Sequence, residues 1–280
     1  MLWILLELLA TIVALCASEP AVSNAGERSA GAPGTLVCTS DDPKPEDVRI
    51  GNDPKKRYLL HAPPKESKEA SSGWRVLIVM PGGDGSAEFA PFVGNIRAKA
   101  LGEGWVVAQI VAPMWDDEQV QSNVWPTEKN PYKTMKLSTE KLFDAVLEDL
   151  GKRKRIDPKS IFTLSWSSSG PAAYALSLQP KTKIAGSFIA MSEFKPDLLP
   201  PLKNAAGRSY YLYHSQQDTI VPIRVAETAR DELIKNGASV EFVEYSGGNG
   251  WHGEVFDDIR RGVAWLQEKT AKPVKSKSDK

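Results

Sequence analysis

Short runs of consecutive Val, Ile, Leu and Phe alternate along the chain with longer stretches in which apolar residues recur every three or four positions. The runs predict strands over Tyr58 to His61, Arg75 to Met80, Trp105 to Val111, Ser160 to Ser165, Ile184 to Met191, Ser209 to His214 and Ser239 to Tyr245. Several are apolar throughout, the pattern of strands covered on both faces. The longer stretches predict helices over Ala87 to Ala100, Thr139 to Gly151, from about Pro171 through Leu176, Arg224 to Asn236, and Val255 to Lys269. In the second of these, Leu142, Phe143, Val146, Leu147 and Leu150 fall on one helical face, with Ser138 placed to cap the start and Gly151 to end it. Strands and helices alternating in this way predict a parallel sheet with helices on both faces.

The two ends of the chain do not follow that pattern. Met1 to Ala17 is apolar apart from Glu7 and Thr11 and is followed by small and polar residues, so residues 1–18 read as a secretory signal peptide. The run is short for a membrane span, which takes about 20 residues, but no basic residue precedes it, and an uncleaved N-terminal anchor is the alternative. Cys16 follows Leu15 rather than the small residue that lipidation requires. Residues 19–56 read as an irregular lead-in, residues 57–270 as one domain, and residues 271–280, with four Lys and one Asp, as a disordered tail. The expected location is outside the cytoplasm, with membrane contact only through an uncleaved N-terminus.

The chain's 35 basic and 35 acidic side chains cancel, so nucleic-acid binding is not expected. The run Lys152-Arg153-Lys154-Arg155 reads as the solvated end of a helix. With Cys16 and Cys38 the only thiols and three His in all, neither a disulfide scaffold nor a metal site is indicated, and no cofactor is expected.

In an open parallel sheet, ligands bind beyond the carboxyl ends of the strands, and four loops there are unusual. Pro81-Gly82-Gly83-Asp84-Gly85-Ser86 follows one strand and lets backbone amides approach a ligand, though it matches neither a dinucleotide fingerprint nor a P-loop. Ser165-Trp166-Ser167-Ser168-Ser169-Gly170 runs from a strand straight into a helix, with small residues two positions either side of Ser167, as a sharp nucleophile turn needs. Centring the turn on Ser168 would put Trp166 where a small residue is required. Asp218 follows a third strand, and His252 lies in the Gly-rich loop after the last. His61 and His214 are expected to form structural hydrogen bonds. Glu193 and Asp197 are rival acids.

Ser167, Asp218 and His252 stand in the chain order of the α/β-hydrolase triad, each after its own strand. Residues 57–270 resemble that superfamily. The segments around Ser167 and Asp218-Thr219-Ile220-Val221-Pro222 are similar to the phospholipase/carboxylesterase, acyl-protein-thioesterase-like branch, with dienelactone-hydrolase relatives close behind. The chain departs from that branch in carrying Ser at 165 and 169 where Gly is usual, and Pro81 where His is usual.

The resemblance implies a three-layer fold with a mostly parallel central sheet. It implies a serine esterase acting on a small-molecule carboxylic or thio ester through an acyl-enzyme, without metal or cofactor. Ser167 would be the nucleophile, His252 the base and Asp218 its orienting acid, with the amides of Gly83 and Ser168 as the oxyanion hole. Trp166 and Trp251 flank these residues as candidate pocket lining. Trp115 and Trp125 lie in the insertion from Met114 to Lys136, which either walls a binding site or packs its aromatics down. A serine peptidase of the same fold, or a binding protein without turnover, are the other readings.

Overall fold

A computed structural model of the chain describes residues 44–63 and 67–271. The signal or anchor segment, both cysteines, most of the expected lead-in and nearly all of the Lys-rich tail lie outside the described residues.

Eight strands form one sheet: β1 (Glu46–Arg49), β2 (Arg57–His61), β3 (Trp74–Met80), β4 (Trp105–Ile110), β5 (Ile156–Trp166), β6 (Gly186–Ala190), β7 (Ser209–Ser215) and β8 (Ser239–Tyr245). Their spatial order is β1-β2-β4-β3-β5-β6-β7-β8. From β4 to β8 every pairing is parallel, whereas β1 and β2 run antiparallel at one edge.

Among the described residues, five α-helices flank the sheet: α1 (Ala90–Asn95), α2 (Thr139–Arg153), α3 (Gly170–Ser177), α4 (Arg224–Lys235) and α5 (Val255–Ala271). Alternation along the strands sorts the core into two layers. Val76, Ile78 and Met80 of β3 face Leu142, Val146 and Leu150 of α2, together with α3 and α4, on one side. Leu77 and Val79 face Val93 and Ile96 near α1, with Ile259, Val263 and Leu266 of α5, on the other.

The differences from the sequence reading have physical reasons. Residues 44–56, expected to be irregular, contain β1 and a 3-10 turn, Ile50–Asn52. In Glu46-Asp47-Val48-Arg49 only Val48 is buried, so the edge strand carries almost no apolar signal. Strand β5 begins at Ile156 rather than Ser160, with Asp157, Pro158 and Lys159 masking its first half. Gly151 does not end α2; the helix runs on to Arg153, and Lys154 closes it with its amide on the Leu150 carbonyl. The basic run that follows is engaged at the surface, Arg153 pairing with Asp149 and Glu46, and Arg155 with Glu69.

Candidate active site

The carboxyl end of β5 turns sharply at Ser167, whose φ of 53° lies in the left-handed region. Ser167 to Ser169 form one 3-10 turn, and α3 starts at Gly170 with Pro171 in its first turn, where the missing amide hydrogen costs nothing. A left-handed L-residue costs about 1–2 kcal/mol, so the surroundings must hold it. Ser169 is wholly buried; its Oγ donates to the Met80 carbonyl at 2.6 Å and accepts from the Trp166 amide at 3.1 Å. That hydroxyl therefore ties the end of β3 to the turn, which gives Ser rather than Gly a task at this position. From the other side, Ser192 Oγ donates to the Ser167 carbonyl at 2.6 Å. Ser192 packs so closely on Gly170 that a Cβ there would sit 1.8 Å from its Oγ.

The loop after β3 lies directly over this turn. A Cβ on Gly82 would stand 2.6 Å from the Trp166 indole and 2.7 Å from its carbonyl oxygen, so only glycine permits the approach. Gly83 follows with φ 59°, and its carbonyl accepts from Ser168 Oγ at 2.8 Å. Among the described residues, neither the Gly83 nor the Ser168 amide donates to another protein group. Ser167, Ser168 and Gly83 are thus brought together, with two uncommitted amides beside the turn.

Asp218 is buried and fully engaged. Its Oδ1 accepts from the amides of Ile220 at 2.9 Å and Val221 at 2.8 Å, and its Oδ2 from Asn249 Nδ2 at 2.9 Å, with His214 Nε2 3.2 Å away. The buried imidazole of His214 also places Nε2 2.7 Å from the Val221 carbonyl, so Nε2 carries the hydrogen. This is the structural role expected of His214.

His252 is exposed, and its ring stacks on Tyr245 with centroids 6.2 Å apart. Among the described residues no hydrogen bond joins it to Asp218 or to the Ser167 hydroxyl. Its ring lies on Gly247, where a Cβ would come within 2.5 Å of the imidazole. Gly247 is in turn stitched to the turn before Asp218, its amide donating to Gln217 Oε1 at 2.6 Å and its carbonyl accepting from Ser215 Oγ. Tyr245 Oη donates toward the carbonyls of Gly250 at 2.8 Å and Gly248 at 3.0 Å, and burial pushes its phenol up to about 12, so it remains a donor at neutral pH.

A cavity of about 150 Å³ opens beside the turn, bounded by Ser168 and Pro171, by Trp125 and Asn130 of the insertion, and by Leu198 and Leu199. Both readings of the insertion hold. Trp125 is buried with Nε1 donating to the Pro81 carbonyl at 3.1 Å, and Tyr132 donates to Asp116 at 2.5 Å, while residues 120–130 wall the cavity. The other three candidate pocket tryptophans are not among the residues lining this cavity. Trp115 stands away from this cavity beneath Lys55. Trp166 and Trp251 pack edge-to-face on each other at 5.8 Å within a cluster that includes Phe89, Phe92 and Tyr213. Trp166 belongs to the buried layer beneath α1 and α5, and the half-buried Trp251 packs against that layer. Glu193 lines the cavity paired to Lys195 at 2.5 Å, and Asp197 is exposed. Among the described residues no cluster of His, Cys, Asp and Glu is arranged to hold a metal ion.

Sequence reasoning missed Ser192 and Asn249. Nothing in the sequence marks Ser192. Asn249 stands among Gly247, Gly248 and Gly250, where it reads only as a turn residue.

No protein-family model matches the sequence, and no curated protein matches it significantly. Solved structures do. A truncated carbohydrate esterase from gut microbiota superposes with a TM-score of 0.62 at 14% identity, over 83% of this chain and 99% of that one. An esterase from Rhizomucor miehei gives 0.59 at 13% identity, over 83% and 85%. The Bacillus cereus carboxylesterase gives 0.55 at 14% identity, over 76% and 93%. The chain has the α/β-hydrolase fold.

Proposed function

We propose that the protein is a serine esterase cleaving a small-molecule carboxylic or thio ester, with Ser167 as nucleophile, His252 as general base and Asp218 as its orienting acid. The observation that carries this reading is the left-handed backbone at Ser167, held between a strand and a helix by Ser169 and Ser192. Strain of this kind persists where it serves a function, and here it presents one hydroxyl at the carboxyl edge of the sheet. The esterases among the structural neighbours support the same reading.

In the reaction, Ser167 Oγ bonds to the acyl carbon as its proton passes to His252. The amides of Ser168 and Gly83 meet the oxyanion, and the alkoxide or thiolate leaves with the proton from His252. Water, deprotonated by His252, then attacks the acyl-enzyme and releases the acid. The cavity beside Ser168 takes one substituent of the ester. A 150 Å³ space holds a group of about benzene's size, which favours short substituents. The apolar start of the chain, read as an export signal, puts the enzyme outside the cytoplasm.

Gly82→Ala tests the oxyanion assignment. Its Cβ would overlap Trp166 at 2.6 Å, so the first loop must lift. We expect a stability loss of about 1–3 kcal/mol from overpacking and a fall in kcat of about 100-fold as the Gly83 amide moves off target. Chemical denaturation and steady-state kinetics on one preparation check both.

That no hydrogen bond joins His252 to Asp218 among the described residues, with Asn249 on the carboxylate instead, favours a second reading as a binding protein without turnover. Nitrophenyl esters of graded acyl length separate the two. Turnover by the full chain, greatest for short acyl groups, is the expected result. A folded protein that turns over none of the series supports binding alone.

A further inference from the structure

Asp218 Oδ2 is the atom that the base's Nδ1–H must reach for a triad to operate, and Asn249 Nδ2 occupies it at 2.9 Å. His214 Nε2, whose hydrogen goes to the Val221 carbonyl at 2.7 Å, lies 3.2 Å from the same oxygen and crowds its other side. Both Oδ1 positions are taken by the Ile220 and Val221 amides. With Oδ1 accepting twice and Oδ2 flanked by Asn249 and His214, Asn249 holds the approach to Oδ2 that His252 needs. His252 is nonetheless near, since its ring lies on Gly247, whose amide and carbonyl are bonded to Gln217 and Ser215 in the turn that leads into Asp218.

Asn249 and His252 sit three residues apart on one loop bounded by Gly247 and Gly253. Gly247, Gly250 and Gly253 all adopt positive φ, so this segment has backbone states closed to other residues. Among the described residues, the side-chain amide of Asn249 is anchored otherwise only by a long 3.5 Å contact to the Met191 carbonyl. Met191 is itself left-handed, with φ 40°.

We propose that Asn249 is a latch on the catalytic acid: it competes with His252 for Asp218 Oδ2, and the loop exchanges one donor for the other to assemble the triad. The inference rests on the serine-esterase reading and adds a resting state to it. In that state Asn249 donates a hydrogen bond to Asp218 Oδ2, so His252 can leave without stranding a buried acceptor. In the active state His252 donates through Nδ1 and Asn249 swings to solvent. The exchange trades one hydrogen bond for another on the same oxygen, so two states of similar free energy are expected, and the competent fraction scales the observed rate.

The test compares the full chain with Asn249→Ala and Asn249→Ser, whose side chains are too short to reach Asp218, after a thermal melt confirms each is folded. Expected is a rise in kcat/KM for a short nitrophenyl ester of about 3- to 10-fold, as the competing donor is removed. In the same samples, nitrogen-15 NMR of the imidazoles reads His252 without reference to activity. A hydrogen-bonded Nδ1 proton of His252 is expected to strengthen in Asn249→Ala and to vanish when Asp218→Asn is added. An unchanged or lower kcat/KM in both variants, with no new His252 resonance, overturns the latch. If neither the full chain nor the variants turn over ester, yet the resonance appears in Asn249→Ala, the latch stands and the esterase reading falls.

Discussion

Ser167→Ala should lower kcat for ester hydrolysis by about 10⁴- to 10⁶-fold and leave the fold intact. The Ser167 hydroxyl donates to no protein group among the described residues, so its removal breaks no internal hydrogen bond. The backbone matters separately. Ala keeps the left-handed strain at φ 53°, whereas Gly relieves it, so Ser167→Gly should be more stable than Ser167→Ala by about 1 kcal/mol, after the greater freedom of glycine in the unfolded chain is offset. Denaturation of the pair checks this. Equal stabilities would mean that the strain does not sit at Ser167. A variant that gains stability while losing all activity marks a residue held in place for chemistry.

Asp218→Ala should damage both properties. It removes the acceptor for the Ile220 and Val221 amides and for Asn249 Nδ2, and leaves a void beside the buried His214. Leaving such donors unpaired in the interior costs about 3–5 kcal/mol, which in a domain of this size lowers the melting temperature by roughly 10 °C. Asp218→Asn separates the roles. Its amide oxygen can still serve the two backbone donors, and His214 retains the Val221 carbonyl, so the stability loss should be smaller. Activity should still fall by about 10⁴-fold, because the amide cannot hold the imidazole tautomer that the reaction needs. Calorimetry and kinetics on the two variants check the separation. An Asp218→Asn enzyme with near-normal rate would assign the acid elsewhere, with Glu193 beside the cavity the first to test.

The sheet was legible where burial is two-sided. Strands β3 and β7 are legible to within a residue because their buried apolar runs end at Gly or polar turns, whereas the half-exposed edge strand β8 is legible from Val240, Phe242, Val243 and Tyr245. Where one face is solvated the signal failed, as at β1 with its lone Val48, and where a proline interrupts the strand, as at Pro158 in β5. The turn at Ser167 was legible because its sterics are local: Ser165 and Ser169 must be small whatever surrounds them. The arrangement of Asp218 was not, since its partners His214 and Asn249 come from β7 and from the loop after β8. No local pattern says which of two donors in a Gly-rich loop reaches a buried carboxylate. The place of the tryptophans is illegible for a related reason. A large ring beside a reactive residue fits either a pocket wall or a core, and the aromatic layer under α1 and α5 took Trp166 and Trp251.

The most direct test of Ser167 as nucleophile is to react the full chain with a fluorophosphonate and map the adduct by peptide mass spectrometry. A single phosphonyl group on Ser167, absent from Ser167→Ala, is the predicted result. An adduct on Ser168 or Ser169 instead, or a folded protein that takes up none, would contradict it.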